Sequence, residues 1–194
     1  MPEPQAGVLT TPDEQLIEQV KAGDLVAREE LFRRHFGVSQ RVAVRLLGHD
    51  QDALDAVQDG FLKAVLHLED FDGRSGFRTW LLKIVTNAAL DLGRKRRRRL
   101  TLRLDDVGTG DPGAAMNHDP ALGLHRQDLR RALDAALDRL SPATRACFIL
   151  FAEAELSYKE IAACQNIPLG TVMSRLHYAR QKLQSSLEGV EGID

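Results

Sequence analysis

Six consecutive cations, Arg94 to Arg99, and a looser set, Arg175, Arg180 and Lys182 around Ser174, His177 and Gln181, are the side chains whose types and spacing could do chemistry. That chemistry is contact with a polyanion. Guanidinium and ammonium groups neutralise phosphates, and the hydroxyl, imidazole and amide groups between them can bond base edges. A basic helix end gains only about 0.3–1 kcal/mol from its dipole. Six adjacent like charges also repel one another, so the run points to a use outside the helix. Catalytic chemistry has no comparable signal. The six histidines are scattered, no His-x-x-x-His or Cys/His cluster occurs, and there is no phosphate-cradling glycine loop or nucleophile motif. The chain is therefore expected to be non-catalytic, with no metal and no cofactor. Cys147 and Cys164 stand 17 positions apart and form neither a disulfide framework nor a Cys-x-x-Cys site; they read as reduced core thiols.

The second cationic set needs a rigid carrier, and its surroundings supply one. Ser157-Tyr158-Lys159-Glu160 is a capping box opening a short helix through Cys164. Gln165-Asn166-Ile167-Pro168 makes a turn in which Asn166 can adopt the left-handed conformation. A longer helix, Leu169 to Leu187, follows. At 100° per residue, Val172, Leu176, Ala179 and Leu183 fall within about a quarter of its circumference and face a core. Thr171 stands at its start, Met173, Ser174, His177, Tyr178 and Gln181 point outward, and Arg175, Arg180 and Lys182 flank them. The spacing predicts a helix-turn-helix over Ser157 to Leu187 that lays its second helix in the major groove. An ordinary helical hairpin with a solvated polar face is the alternative reading. A helix-turn-helix alone serves repressors and activators alike.

Upstream, the pattern is helical throughout. Thr11-Pro12-Asp13-Glu14 reads as an N-cap, a first-turn proline and a capping-box acid, and Gly23-Asp24 breaks and recaps before a longer second helix. Leu54, Val57, Phe61, Val65 and Leu68 step by three or four along a third helix. The loop Phe71 to Gly76 leads into a fourth through Phe77, Trp80, Leu81 and Ile84. On the third helix, Asp55, Gln58 and Asp59 share one side, a patch that a solvated face would also explain. Leu100 to Pro120, with Gly108, Gly110, Pro112 and Gly113, reads as a flexible linker bearing Asp105, Asp106 and Asp111. Strand signals and internal repeats are absent.

Of 194 residues, 43% are hydrophobic, 28% charged and 5% aromatic, a globular balance that suits helical packing. The net charge of -2 conceals an uneven distribution: residues 94 to 103 hold seven cations and no acid, whereas residues 1 to 93 hold ten cations and 15 acids. No apolar run approaches the roughly 18 residues that span a bilayer, and no signal peptide is readable, so a soluble cytoplasmic protein without membrane insertion is expected.

Asp55-Ala56-Val57-Gln58-Asp59-Gly60-Phe61, Phe77-Arg78-Thr79-Trp80-Leu81, Asn87 with Asp91, and Pro168 to Leu176 together resemble the region-two and region-four signatures of bacterial RNA polymerase sigma factors, sigma-70 family, extracytoplasmic-function (ECF) group. The resemblance runs from Asp13 to Leu187. It implies an all-α chain in the minimal layout of that group: residues 11–99 as region two, 100–120 as linker and 121–188 as region four. It implies that Asp55, Gln58 and Asp59 dock core polymerase, whose β′ clamp and β flap are the expected contacts. Asp72, Ser75, Phe77, Thr79, Trp80, Lys83, Asn87, Arg94, Lys95 and Arg96 become candidates for capturing −10 DNA. Thr171, Met173, Ser174, Arg175, His177, Tyr178, Arg180, Gln181 and Lys182 become candidates for −35 DNA. An anti-sigma factor is an expected further partner, and the linker is expected to thread toward the RNA path. Met173 stands where the group commonly has a basic residue, and Cys164 and Gln165 replace more usual aliphatics. A free-standing operator-binding regulator is the competing class, although it has no need of the Asp55 patch or the loop-helix pocket.

Overall fold

The computed structural model describes residues 11–106 and 132–187, all helix and connecting turns. Helices α1 (Asp13–Lys21), α2 (Leu25–Leu47), α3 (Asp50–Leu66) and α4 (Phe77–Asp106) form the first body, with a single 3-10 turn at Leu68–Asp70. Helices α5 (132–138), α6 (Pro142–Ala152), α7 (Tyr158–Gln165) and α8 (Leu169–Leu187) form the second. The expected all-α class is what the described residues show.

Local chemistry accounts for most boundaries. Asp24 caps α2 by accepting from the Val26 and Ala27 amides at 2.8 and 3.1 Å. Gly48, at φ 73°, ends it in the left-handed conformation that a side chain would resist. Ser141 caps α6 with Pro142 in its first turn. The start of α1 differs from expectation. Pro12 is the N-cap and no side chain caps the helix. The helix begins one residue late for Thr11 to serve, and the Thr11 carbonyl instead accepts from Arg34. The linker also differs at its near end: α4 continues to Asp106, because neither glycine nor proline occurs between Leu100 and Gly108. The remainder of that expected linker, Asp111 included, lies outside the described residues.

Leu31, Val57, Leu81 and Val85, all fully buried, centre the first core, with Leu16, Ile17, Leu68 and Phe77 around them. Helices α3 and α4 approach closely at Gly60, where an added Cβ would lie 2.9 Å from Val85 Cγ2 and 3.1 Å from Val85 Cα. A small core of Ala136, Leu137, Leu140, Ala179 and Leu183 joins α5 to α8.

The two bodies are packed together. Val38 and Val42 of α2 and Leu82 of α4 enter the same apolar cluster as Ile149, Leu150, Ile161 and Cys164 of the second body. Burying Val42 and Leu82 completely contributes at most about 1.5–3 kcal/mol each. Polar contacts ring this seam. Arg45 Nε meets Glu153 Oε1 and its Nη1 meets Asp134 Oδ1, both at 2.9 Å. Arg145 donates to the Arg45 carbonyl at 2.6 Å, and Arg78 donates to the Ala154 carbonyl at 2.7 Å.

Candidate nucleic-acid interface

The α7–turn–α8 unit is built as its sequence predicts. Ser157 Oγ accepts from the Glu160 amide at 3.3 Å while Glu160 Oε2 accepts from the Ser157 amide at 2.8 Å. The Ser157 hydroxyl, donating to Glu160 Oε2 at 2.6 Å, and then the Ser157 amide hold the Glu160 carboxyl below the usual carboxylate range, with smaller help from Thr79 and Arg78. Asn166 takes φ 52° and ψ 51°, the left-handed turn conformation. Val172, Leu176, Ala179 and Leu183 are buried, which turns the opposite side of α8 outward. Met173 and Tyr178 are 54% and 49% exposed, and Ser174, His177, Gln181 and Lys182 are exposed beside them; Thr171 is half-buried.

Of the flanking arginines, Arg175 is half-buried and Arg180 exposed, and both make contacts within the chain. Arg175 Nη1 donates to Gln165 Oε1 at 3.2 Å, and that same oxygen accepts from Cys147 Sγ at 3.0 Å. Arg180 Nη2 donates to Tyr158 Oη at 3.1 Å, with its guanidinium 5.1 Å over the Phe151 ring. Both arginines therefore bolt α8 to the helices beneath it. Lys182 Nζ lies 5.8 Å over the Tyr178 ring. Ser174 Oγ is engaged with the Thr171 carbonyl at 3.0 Å. The two cysteines are free and buried, and burial pushes the Cys147 thiol up and the Cys164 thiol up to about 12.

The expected strand-capturing surface divides. Trp80, Lys83 and Asn87 line one open cleft of about 430 Å³ together with Lys63, His67 and Asp91. Lys63 and His67 were not predicted there, since they come from α3 and its end and meet α4 only through the fold. Phe77 and Thr79 fall elsewhere. Phe77 is 4% exposed, its ring centroid 5.7–6.1 Å from those of Trp80, Phe71 and Phe32, so it is a core residue that cannot offer its face to a base. Thr79 is 2% exposed and donates to Glu160 Oε1 of the second body at 3.2 Å. Its burial comes from the seam. Asp72 is exposed and caps its own loop, accepting from the Arg74 amide at 3.0 Å and from the Arg74 guanidinium. Those two bonds, the amide first, hold its carboxyl below the usual range. Ser75 is half-buried in the same loop.

In the basic run, Arg94 pairs with Asp91, and Arg96 Nη1 meets Asp52 Oδ2 at 2.6 Å. Lys95 is exposed and, with Arg96 and Arg99, lines a second open cleft against His49 and Gln51. On α3, Asp55, Gln58 and Asp59 are exposed on one side. Leu62 and Leu66, 60% and 69% exposed, extend that side by two turns. The sequence signal for those leucines is their offset from the Val57–Phe61–Leu68 stripe.

Comparison with known proteins covers both bodies. The Sigma-70 region 2 family matches residues 31–99, and the Sigma-70, region 4 family matches residues 130–183. The chain is 37% identical over 164 residues to the ECF RNA polymerase sigma factor SigE of Mycolicibacterium smegmatis, covering 82% of this chain; it spans 61% of that relative's length. It is 30% identical to the ECF RNA polymerase sigma factor SigW of Bacillus subtilis, covering 88% of this chain and 94% of SigW. Among solved structures, CnrH in complex with the cytosolic domain of CnrY superposes with a TM-score of 0.69 at 28% identity, over 91% of this chain and 97% of that one. The sigma factor RpoE of Bartonella quintana, solved in complex with the anti-sigma factor NepR, gives 0.67 at 28% identity, over 82% and 96%.

Proposed function

The chain belongs to the ECF group of sigma-70-type sigma factors, and from that premise we propose that it binds core RNA polymerase and directs initiation at its own promoters. The observation that carries the proposal is one chain holding both an outward helix-turn-helix face and an exposed acidic and amide patch on α3. In this reading α8 enters the major groove of −35 DNA. The cleft around Trp80, Lys83 and Asn87 receives −10 bases, where an aromatic edge suits an unstacked base and cations suit its phosphates. Lys95 and its basic neighbours take backbone phosphates. Asp55, Gln58 and Asp59 dock the β′ clamp, region four meets the β flap, and the polymerase supplies all phosphodiester chemistry. No helix among the described residues is long and apolar enough to cross a membrane, and the proposed place of action is the cytoplasm. Because CnrH and RpoE were each solved with a partner, one of them a named anti-sigma factor, a protein restraint of this chain also belongs to the proposal.

Purified chain added to sigma-free core polymerase on a genomic promoter pool should give discrete transcript starts. No specific initiation, with duplex binding retained, would instead identify an operator-binding regulator. Asp55→Arg with Gln58→Ala should abolish capture by core polymerase while leaving helicity and melting unchanged, both side chains being exposed; unchanged capture refutes the docking assignment.

A further inference from the structure

We propose that α8 selects its DNA through thymine methyl groups instead of guanine edges, with Met173 and Tyr178 as the specificity-determining side chains. The proposal rests on α8 entering the major groove as above. The commonest specific contact in that groove is an arginine or lysine held in two bonds to guanine O6 and N7. Neither arginine of α8 is poised for it. Arg175 is bonded to Gln165 Oε1 at 3.2 Å, and Arg180 is bonded to Tyr158 Oη at 3.1 Å and laid over Phe151. Lys182 lies well past the N-terminal turns that reach base edges in this motif, and its ammonium sits over the Tyr178 ring.

Beside the exposed imidazole of His177, what those turns present is apolar. Met173 and Tyr178 are about half exposed, and Leu169, at the helix start, is 41% exposed. The Ser174 hydroxyl already donates to the Thr171 carbonyl. A thioether and an aromatic ring can read one feature of the groove floor with selectivity, the C5 methyl of thymine.

The test uses full chain bound to core polymerase. A random upstream duplex is selected for binding, then resynthesised with deoxyuridine for thymidine in the −35 half only, which removes the methyl and keeps every hydrogen-bonding edge. The expected result is an A·T-rich selected site whose affinity falls about fourfold for each contacted thymine replaced. Met173→Ala should erase that loss at one position, and Met173→Arg should move the preference there toward guanine. A site bound equally well with deoxyuridine, or one centred on guanine, overturns the methyl proposal alone. A selection with no upstream preference overturns the groove reading and this proposal with it. Unchanged base preference in Met173→Ala, with weakened capture of core polymerase, overturns it in favour of a protein-docking face.

Discussion

Arg175 and Arg180 have the chemistry of phosphate ligands and the surroundings of structural bolts. Arg175→Ala leaves Gln165 Oε1 with Cys147 as its remaining partner and should cost about 1 kcal/mol, read as a lower urea midpoint. Gly170 makes the opposite case. A Cβ there meets nothing within 4 Å, so Gly170→Ala should raise stability by up to about 1 kcal/mol. It stands on the outward side of α8, so the same substitution should weaken duplex binding, and a mobility-shift titration beside a melt separates the two effects. Features settled within a few residues, such as the Ser157–Glu160 box, the Asn166 turn and the buried Val172–Leu183 stripe, were legible in the sequence. The destinations of Arg175, Arg180 and Thr79 were not, because Gln165, Tyr158 and Glu160 reach them only through packing.

At the scale of elements, α3 and α4 are held by a contact that no periodicity reveals. Gly60 occupies a signature that the family resemblance picks out, and its physical reason is the 2.9 Å approach to Val85. Val85 Cα lies almost as near, so Gly60→Ala forces backbone as well as side chain to shift. It should destabilise the first body by about 1–3 kcal/mol, measured by denaturant titration. Helix α7 carries a pH signature. Glu160 has its carboxyl depressed by the Ser157 bonds, so its stabilising contribution is full above its ordinary value of 4.5 and is lost as acidification protonates it in the fold. Glu160→Gln should flatten the acid limb of the melting profile. Helix existence was readable from the 3.6-residue period almost everywhere. The period misplaces the ends at Thr11 and at Leu100, where cap geometry or the absence of a breaker decides the outcome.

At the scale of the molecule, the seam between the bodies is the feature furthest from the sequence. Arg45 finds its acids 89 and 108 positions away, and no pattern in the chain links them. Arg45→Glu places a third acid beside Asp134 and Glu153, leaving a like-charge cluster that is largely shielded from water. The variant should expand in small-angle scattering while keeping its helicity, and adding Glu153→Arg should draw it back toward the native dimension. Unchanged scattering in Arg45→Glu would show that the apolar contacts of Val42 and Leu82 hold the bodies together unaided. Because both faces of the seam belong to one chain, each is a tethered competitor for whatever else would touch the other. Dilution cannot release such a competitor, since its local concentration is fixed by the tether. A partner that needs Thr79 or Leu82 uncovered has its apparent affinity scaled by the open fraction. Cutting the folded chain between 107 and 131 would convert that constant handicap into one that vanishes on dilution.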